Sequence, residues 1–335
     1  MLQLKRFCTL VVQAFAIVII LYLIPFRGYQ IMAPGEALNI RPFISIEGKN
    51  KSPGFEIETN GGLYFTTVIV ANANLLTSLY TAFTPWTEIL YSPDPAINMD
   101  LEREEGLNMM SESKIIATFV ALKKAGCDVN IQGEGVNVLD ILQVSHASKI
   151  LQKGDVIVEI DGHKSMTRED LLAVLADKNP GDKVDVTFLR KGKKLRGVIK
   201  TIRSWKWEQQ RAILGINAST RNMKLDSPIK INVESYDIQG SSAGLMITLG
   251  ILEQLKKTDF AKGFRIAGTG TIAIDGTVGE IGGVRQKVVA ACLSGAQVFF
   301  VPDGNKDEAI KSAVGIRIVP VKSIDDALEF LNKLP

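Results

Sequence analysis

Asp237-Ile238-Gln239-Gly240-Ser241-Ser242-Ala243-Gly244-Leu245-Met246 is the stretch on which the reading of this chain turns. A glycine precedes two hydroxyls and two small residues, and then an apolar run reads as a helix to about Leu255. Ser242 would stand where that helix begins, where unpaired N–H groups and the helix dipole favour negative charge. Gly240, Ala243 and Gly244 leave room for a substrate backbone, and amides placed there can hold a developing oxyanion. Ser241 offers a second hydroxyl, but Ser242 directly precedes Ala-Gly and is the expected nucleophile.

A serine nucleophile needs a base. The chain has only two histidines, His146 and His163, both in what reads as another domain, which speaks against a Ser-His-Asp triad. A lysine whose pKa is depressed by burial is the other route. Downstream runs Gly276-Thr277-Val278-Gly279-Glu280-Ile281-Gly282-Gly283-Val284-Arg285-Gln286-Lys287, followed by an apolar, alanine-rich helix start. Lys287 is set among glycine and aliphatic residues, whereas Lys256, Lys257 and Lys262 fall in a polar turn.

Taken in this order, the two segments resemble the proteolytic domain of the Lon family, whose motifs are G-P-S-A-G and G-x-(V/L)-x-x-I-G-G-(L/V)-x-x-K. The resemblance covers about residues 212–335 and implies a ribosomal S5 domain 2-like α+β fold and a Ser–Lys dyad. It assigns Ser242 as nucleophile and Lys287 as general base, 287 − 242 = 45 residues apart. It also assigns Thr269, in Ala267-Gly268-Thr269-Gly270, a hydrogen bond to the lysine amine. Ser241 departs from the pattern, standing where the family has proline. The family's ring assemblies imply a homo-oligomer, a hexamer by analogy.

Upstream, residues 133–202 order as strand, short helix, strands, helix and hairpin. Gly135–Leu142, Gly154-Asp155-Val156-Ile157 and Ile160-Asp161-Gly162 resemble a bacterial PDZ domain. Such a domain adds an extended peptide as a strand beside its groove. Here Val136, Asn137, Val138 and Leu139 would flank it. Ser165 or Thr167 is the expected N-cap of the domain's helix, and Lys191-Gly192 the hairpin turn.

The first segment reads as a membrane anchor. Lys5 and Arg6 precede an uncharged stretch, Phe7–Phe26, of 26 − 7 + 1 = 20 residues, closed by Arg27. That is the length a bilayer core requires, longer than a signal-peptide core, and no good cleavage site follows. Charge asymmetry puts the N-terminus in the cytoplasm and the remainder outside, at the cell membrane. Residues 38–72 read as strands with a turn at Gly61-Gly62, residues 75–92 as helix, and Asp100–Lys124 as a second helix with a solvated charged face. Trp205 and Trp207 are expected to anchor the junction after the PDZ-like unit.

The expected organisation is α+β throughout. It comprises an anchor at 1–27, a strand and helix region at 28–125, a PDZ domain at 126–204 and a proteolytic domain at 205–335. That arrangement resembles membrane-anchored, PDZ-containing Lon-type proteases of Gram-positive bacteria. No G-x-x-x-x-G-K-[ST] run occurs, so ATP-independent cleavage of peptides or unfolded proteins is expected. Gly268-x-Gly270-x-x-Ala273 lacks a dinucleotide-binding context. The three cysteines form no C-x-x-C pair, and neither metal nor cofactor is expected. With 39 basic against 36 acidic residues and a net charge of +3, nucleic acid is not an expected partner. The rival from another class is a surface PDZ scaffold with a silent protease domain; a small-molecule kinase lacks its phosphate loop.

Overall fold

The structure, a computed structural model, describes residues 11–13, 15–16, 25–47, 61–91, 99–203 and 212–335. In chain order its principal elements begin β1 (Pro25–Asn39), β2 (Ile44–Ile46), β3 (Gly62–Asn74), α1 (Leu75–Phe83), β4 (Glu88–Tyr91) and α2 (Met99–Lys124). There follow β5 (Val136–Ile141), β6 (Val156–Ile160), α3 (Arg168–Ala176), β7 (Lys183–Arg190), β8 (Lys193–Lys200) and β9 (Ile216–Thr220). Last come β10 (Ile231–Val233), α4 (Gly244–Lys256), β11 (Arg265–Gly268), α5 (Val284–Leu293), β12 (Val298–Pro302), α6 (Lys306–Ser312), β13 (Arg317–Val321) and α7 (Ile324–Asn332). They divide into two compact units, Gly126–Pro228 and the segments flanking it, which end at Ala125 and resume at Ile229.

The flanking segments build one mixed sheet, ordered β13-β12-β11-β3-β1-β4. Strands β3, β11, β12 and β13 run parallel, while β1 lies antiparallel between β3 and β4. The unbroken apolar run of β12 suits a strand covered on both faces. Phe299 and Val301 pack with Val284, Val288 and Ala291 of α5, while Phe300 meets Phe330 of α7 edge-on at 5.5 Å. Helix α4 is buried from Gly244 to Glu253, as an all-round apolar helix must be. It lies so close to β11 that a Cβ at Gly268 would come 2.6 Å from the Met246 sulfur.

This differs from the expected boundaries. Residues 25–125 do not stand as a region of their own, because β3 hydrogen-bonds β11 in the register Gly62↔Arg265. The expected helix at 75–92 ends at Phe83 and is followed by strand β4. Pro85 explains the break: it disfavours helical geometry at the residue before it, and Thr84 is extended at φ −122°, ψ 101°. The expected anchor, Phe7–Phe26, lies largely outside the described residues, as do Trp205 and Trp207. Pro25 and Phe26 already belong to β1. Among the described residues no helix is long and apolar enough to cross a membrane.

The Gly126–Pro228 unit holds an antiparallel sheet ordered β8-β7-β6-β5-β9, with α3 packed on it. Thr167 caps α3 in a reciprocal box with Asp170. Lys191 and Gly192 turn the β7–β8 hairpin with φ of 50° and 79°. The Gly154-Asp155 motif has a structural reason: buried Asp155 accepts two hydrogen bonds from Arg190, at 2.9 and 2.7 Å, and one from the Gln152 amide at 2.8 Å.

Arg41, just after β1, pins the two parts of the discontinuous unit together. It donates to Glu253 of α4 at 2.7 and 3.0 Å and to Asp259 at 2.9 Å. Glu253 is 1% exposed, so Arg41→Met strands a buried carboxylate. We expect a loss of about 3–5 kcal/mol in denaturant unfolding. Lys333→Met, which breaks a well-exposed pair with Glu329, is expected to change stability by under about 1 kcal/mol.

Candidate active site

Gly240 takes a left-handed turn at φ 84°, and its N–H donates to the Gly106 carbonyl of α2 at 2.8 Å. The chain then reaches Ser241 and Ser242 immediately before α4. The Ser241 carbonyl accepts from the Ser113 hydroxyl of α2 at 3.1 Å and from the Gly244 amide at 3.2 Å. The Ser242 carbonyl accepts from the Gly270 amide at 2.8 Å and the Thr269 hydroxyl at 3.1 Å. Both carbonyls are thus held from outside the loop. Among the described residues, no hydrogen bond occupies the N–H of Ser242 or Ala243. Gly244 is tight for a different reason: a Cβ there would meet Ile272 at 2.9 Å and Ser113 at 3.0 Å.

Lys287 enters from α5. Gly283, at φ 68°, starts that helix, and a Cβ there would lie 2.8 Å from the Met32 sulfur of β1. With Val284, Val288 and Ala291 turned into the core, Lys287 is carried inward and is 4% exposed. Its Nζ lies 2.8 Å from Ser242 Oγ. Burial pushes the amine down from its ordinary 10.5 to about 8. The mechanism is desolvation, which disfavours the charged form. The geometry also separates the two serines, because the lysine meets the hydroxyl of Ser242 and not that of Ser241.

A Lon protease C-terminal proteolytic domain model matches residues 215–332, and a PDZ domain model matches residues 110–201. The chain carries a Lon-type proteolytic domain and a PDZ domain. Lon protease 2 of Bacillus subtilis (strain 168) is 26% identical over 222 residues, covering 61% of this chain and 40% of that protein. The archaeal Lon protease of Methanocaldococcus jannaschii is 35% identical over 102 residues, covering 30% of this chain and 15% of that protein. The chain therefore spans well under half the length of these relatives. A solved PDZ domain of an SdrC-like protein from Listeria monocytogenes is 26% identical, covering 25% of this chain and 87% of its own, with a TM-score of 0.24. The Lon protease matches support a serine peptidase.

Two expectations about the sites are corrected. Thr269 was assigned to the lysine amine, but its hydroxyl donates to the Ser242 carbonyl, and among the described residues no hydrogen bond joins it to Lys287. It positions the serine loop instead. In the PDZ domain, β5 was to flank an open groove. Its backbone is paired on both sides, with β6 through Val136↔Ile157 and with β9 through Val136↔Thr220, Asn137↔Ser219 and Val138↔Ala218. Leu139 lies in the same doubly flanked strand, while Val136 and Val138 are buried in the PDZ core. The chain's own β9 fills the strand position beside β5 and reaches α3, where the Arg168 amide donates to the Thr220 hydroxyl at 3.0 Å.

The contribution of α2 was missed. Gly106 and Ser113 are seven residues apart (113 − 106), two helical turns, and so lie on one face. That small-residue spacing was legible; the partner of the face was not. The histidines lie in the PDZ unit and the cysteines Cys127 and Cys292 are free thiols.

Lys287 yields a stability prediction with a definite sign. The unfolded chain holds the lysine proton to about 10.5, the folded chain only to about 8. Between those values the unfolded state binds more protons, so stability rises with pH there; below about 8 the burial penalty is present in full. Lys287→Met is therefore expected to stabilise the fold at pH 7 by about 3 kcal/mol, with the gain shrinking towards pH 10.5. Urea unfolding across pH measures this; a mutant less stable than wild type at pH 7 overturns it.

Proposed function

We propose that this chain is a membrane-anchored serine endopeptidase working through a Ser242–Lys287 dyad. The observation that carries the reading is a desolvated amine 2.8 Å from a hydroxyl at a helix N-terminus. Neutral Lys287 takes the Ser242 proton as Oγ attacks a peptide carbonyl. The oxyanion forms beside the N–H groups of Ser242 and Ala243, aided by the start of α4. The lysine then gives its proton to the leaving amine, and water hydrolyses the acyl-enzyme. Substrates are peptides or unfolded segments at the cell surface, and no nucleotide is required. The support for the last point is the missing P-loop motif, and for anchorage the uncharged 20-residue run Phe7–Phe26. The proteolytic domains assemble as a ring, a hexamer by family analogy.

The PDZ domain gates rather than simply presents substrate in this reading. A peptide that adds to β5 must first displace β9, so the closed form lowers its apparent affinity by the fraction of open molecules.

Ser242→Ala is expected to abolish cleavage of an unfolded casein-type substrate without nucleotide, with thermal unfolding retained. Single-turnover acylation by wild type should rise with pH and level off above about 8, following deprotonation of Lys287. Full activity in Ser242→Ala would sink the assignment. Ala218→Pro, in the middle of β9, is expected to free β5 and increase binding of a labelled peptide ending in a free carboxylate. Unchanged binding would remove β9 as a gate.

A further inference from the structure

Between Gly61 and Thr87 the chain carries no charged residue. Part of that stretch is legitimately internal, as in Leu63 and Phe65 of β3. The remainder is not. Helix α1, Leu-Leu-Thr-Ser-Leu-Tyr-Thr-Ala-Phe, buries none of its described side chains fully, although it is apolar and properly capped by Asn74 and Thr77. Leu79, Tyr80, Phe83, Trp86, Ile89 and Tyr91 are all exposed, Phe83 by 84%. They come from α1, the turn after it and the edge strand β4, with the Tyr91 ring 5.2 Å from that of Tyr29 of β1 and tilted 54° to it. Apolar surface concentrated in this way marks an interaction site.

The position of the patch indicates its occupant. Strand β1 begins at Pro25, paired with Asn74, the residue that caps α1. The uncharged run Phe7–Phe26 therefore ends beside the first turn of this exposed helix. Tyr and Trp with neighbouring aliphatic side chains are the composition of the bilayer interface. Charges at the rim include Glu88 on β4 and Arg285 of α5, whose guanidinium reaches the Pro85 carbonyl at 3.4 Å, and Arg27 lies in β1 between Pro25 and Tyr29.

We propose that α1, the turn through Trp86 and β4 form a membrane-docking face that lies in the lipid interface beside the anchor. This rests on the anchored reading above. Docking would set α5, two residues from Lys287 at Arg285, next to the bilayer surface, so the preferred substrates are chain segments emerging from the membrane.

The test uses the full chain with Trp205→Phe and Trp207→Phe, which leaves Trp86 as the only tryptophan. It is reconstituted into phosphatidylcholine–phosphatidylglycerol vesicles with or without brominated acyl chains, and flotation is scored in parallel. The expected result is loss of most Trp86 emission in brominated vesicles, restored by Tyr80→Asp with Phe83→Asp while peptidase activity persists. Unquenched emission from protein that floats with the vesicles overturns docking and leaves anchorage standing. Protein that fails to float overturns anchorage itself. A Trp86 blue shift that follows protein concentration, without bromine quenching, assigns the face to contact between copies and likewise overturns the proposal.

Discussion

A lysine amine held dry within 2.8 Å of a serine hydroxyl is the constraint on which the rest of the proteolytic unit depends. Lysine resists this placement, since its charged form loses water and gains no carboxylate in return; desolvation is the sole cause of its depressed pKa. The surrounding core must therefore impose it. Val284, Val288 and Ala291 fix the rotation of α5 about its axis, and Gly283 lets the helix start hard against Met32 of β1. On the serine side, α4 is buried from Gly244 to Glu253 and cannot slide, so the loop at its N-terminus inherits a fixed position. The instability built into the lysine is what makes it a base near neutral pH, an example of strain concentrated where chemistry occurs.

The parts of this arrangement that were legible in the sequence are the local ones. Small residues around a serine before an apolar run, and Gly-Gly before an aliphatic turn bearing lysine, are patterns within a dozen residues. The pairing of Ser242 with Lys287 could be read because both patterns resemble one family. The sheet that supports them could not be read in the same way. Strand periodicity tells which face of β3 is apolar but not that its partner, β11, lies about 200 residues further on. Nor does the periodicity of α2 reveal that its Gly106–Ser113 face supports the nucleophile loop. An inserted unit hides such pairings, because neighbours in space are separated by a complete domain. Thr269 shows a subtler limit: the motif placed it at the site correctly, but which polar atom it would meet depended on a loop carbonyl that no side-chain pattern records.

Strand β9 belongs to two descriptions at once. The Lon-type model includes it, since the match begins at residue 215, yet its hydrogen bonds complete the PDZ sheet. The apolar residues Ile216 and Ala218 explain the choice, because they pack against the PDZ core while the backbone satisfies β5. An edge strand is a template for further pairing, and by covering β5 the strand β9 becomes the edge on that side of the sheet. In the proposed gate, the same strand makes access to β5 conditional.

The two ends of the PDZ unit give that condition a route to the chemistry. Its entry follows α2, whose Gly106 carbonyl holds the Gly240 amide and whose Ser113 hydroxyl holds the Ser241 carbonyl of the nucleophile loop. Its exit leads to β10, paired with β2, and then through the loop to Ser242 itself. Both covalent connections of the unit therefore lead to the Gly240–Ser242 loop, one through α2 and the other along the chain. Along the chain, β9 is followed by the segment that feeds β10, and the serine loop comes next. Energetic coupling requires an element with two discrete arrangements that both sites bias. In the proposed gate, β9 either pairs with β5 or yields to an incoming peptide, an element of that kind, and the inserted topology places it upstream of the nucleophile in the chain.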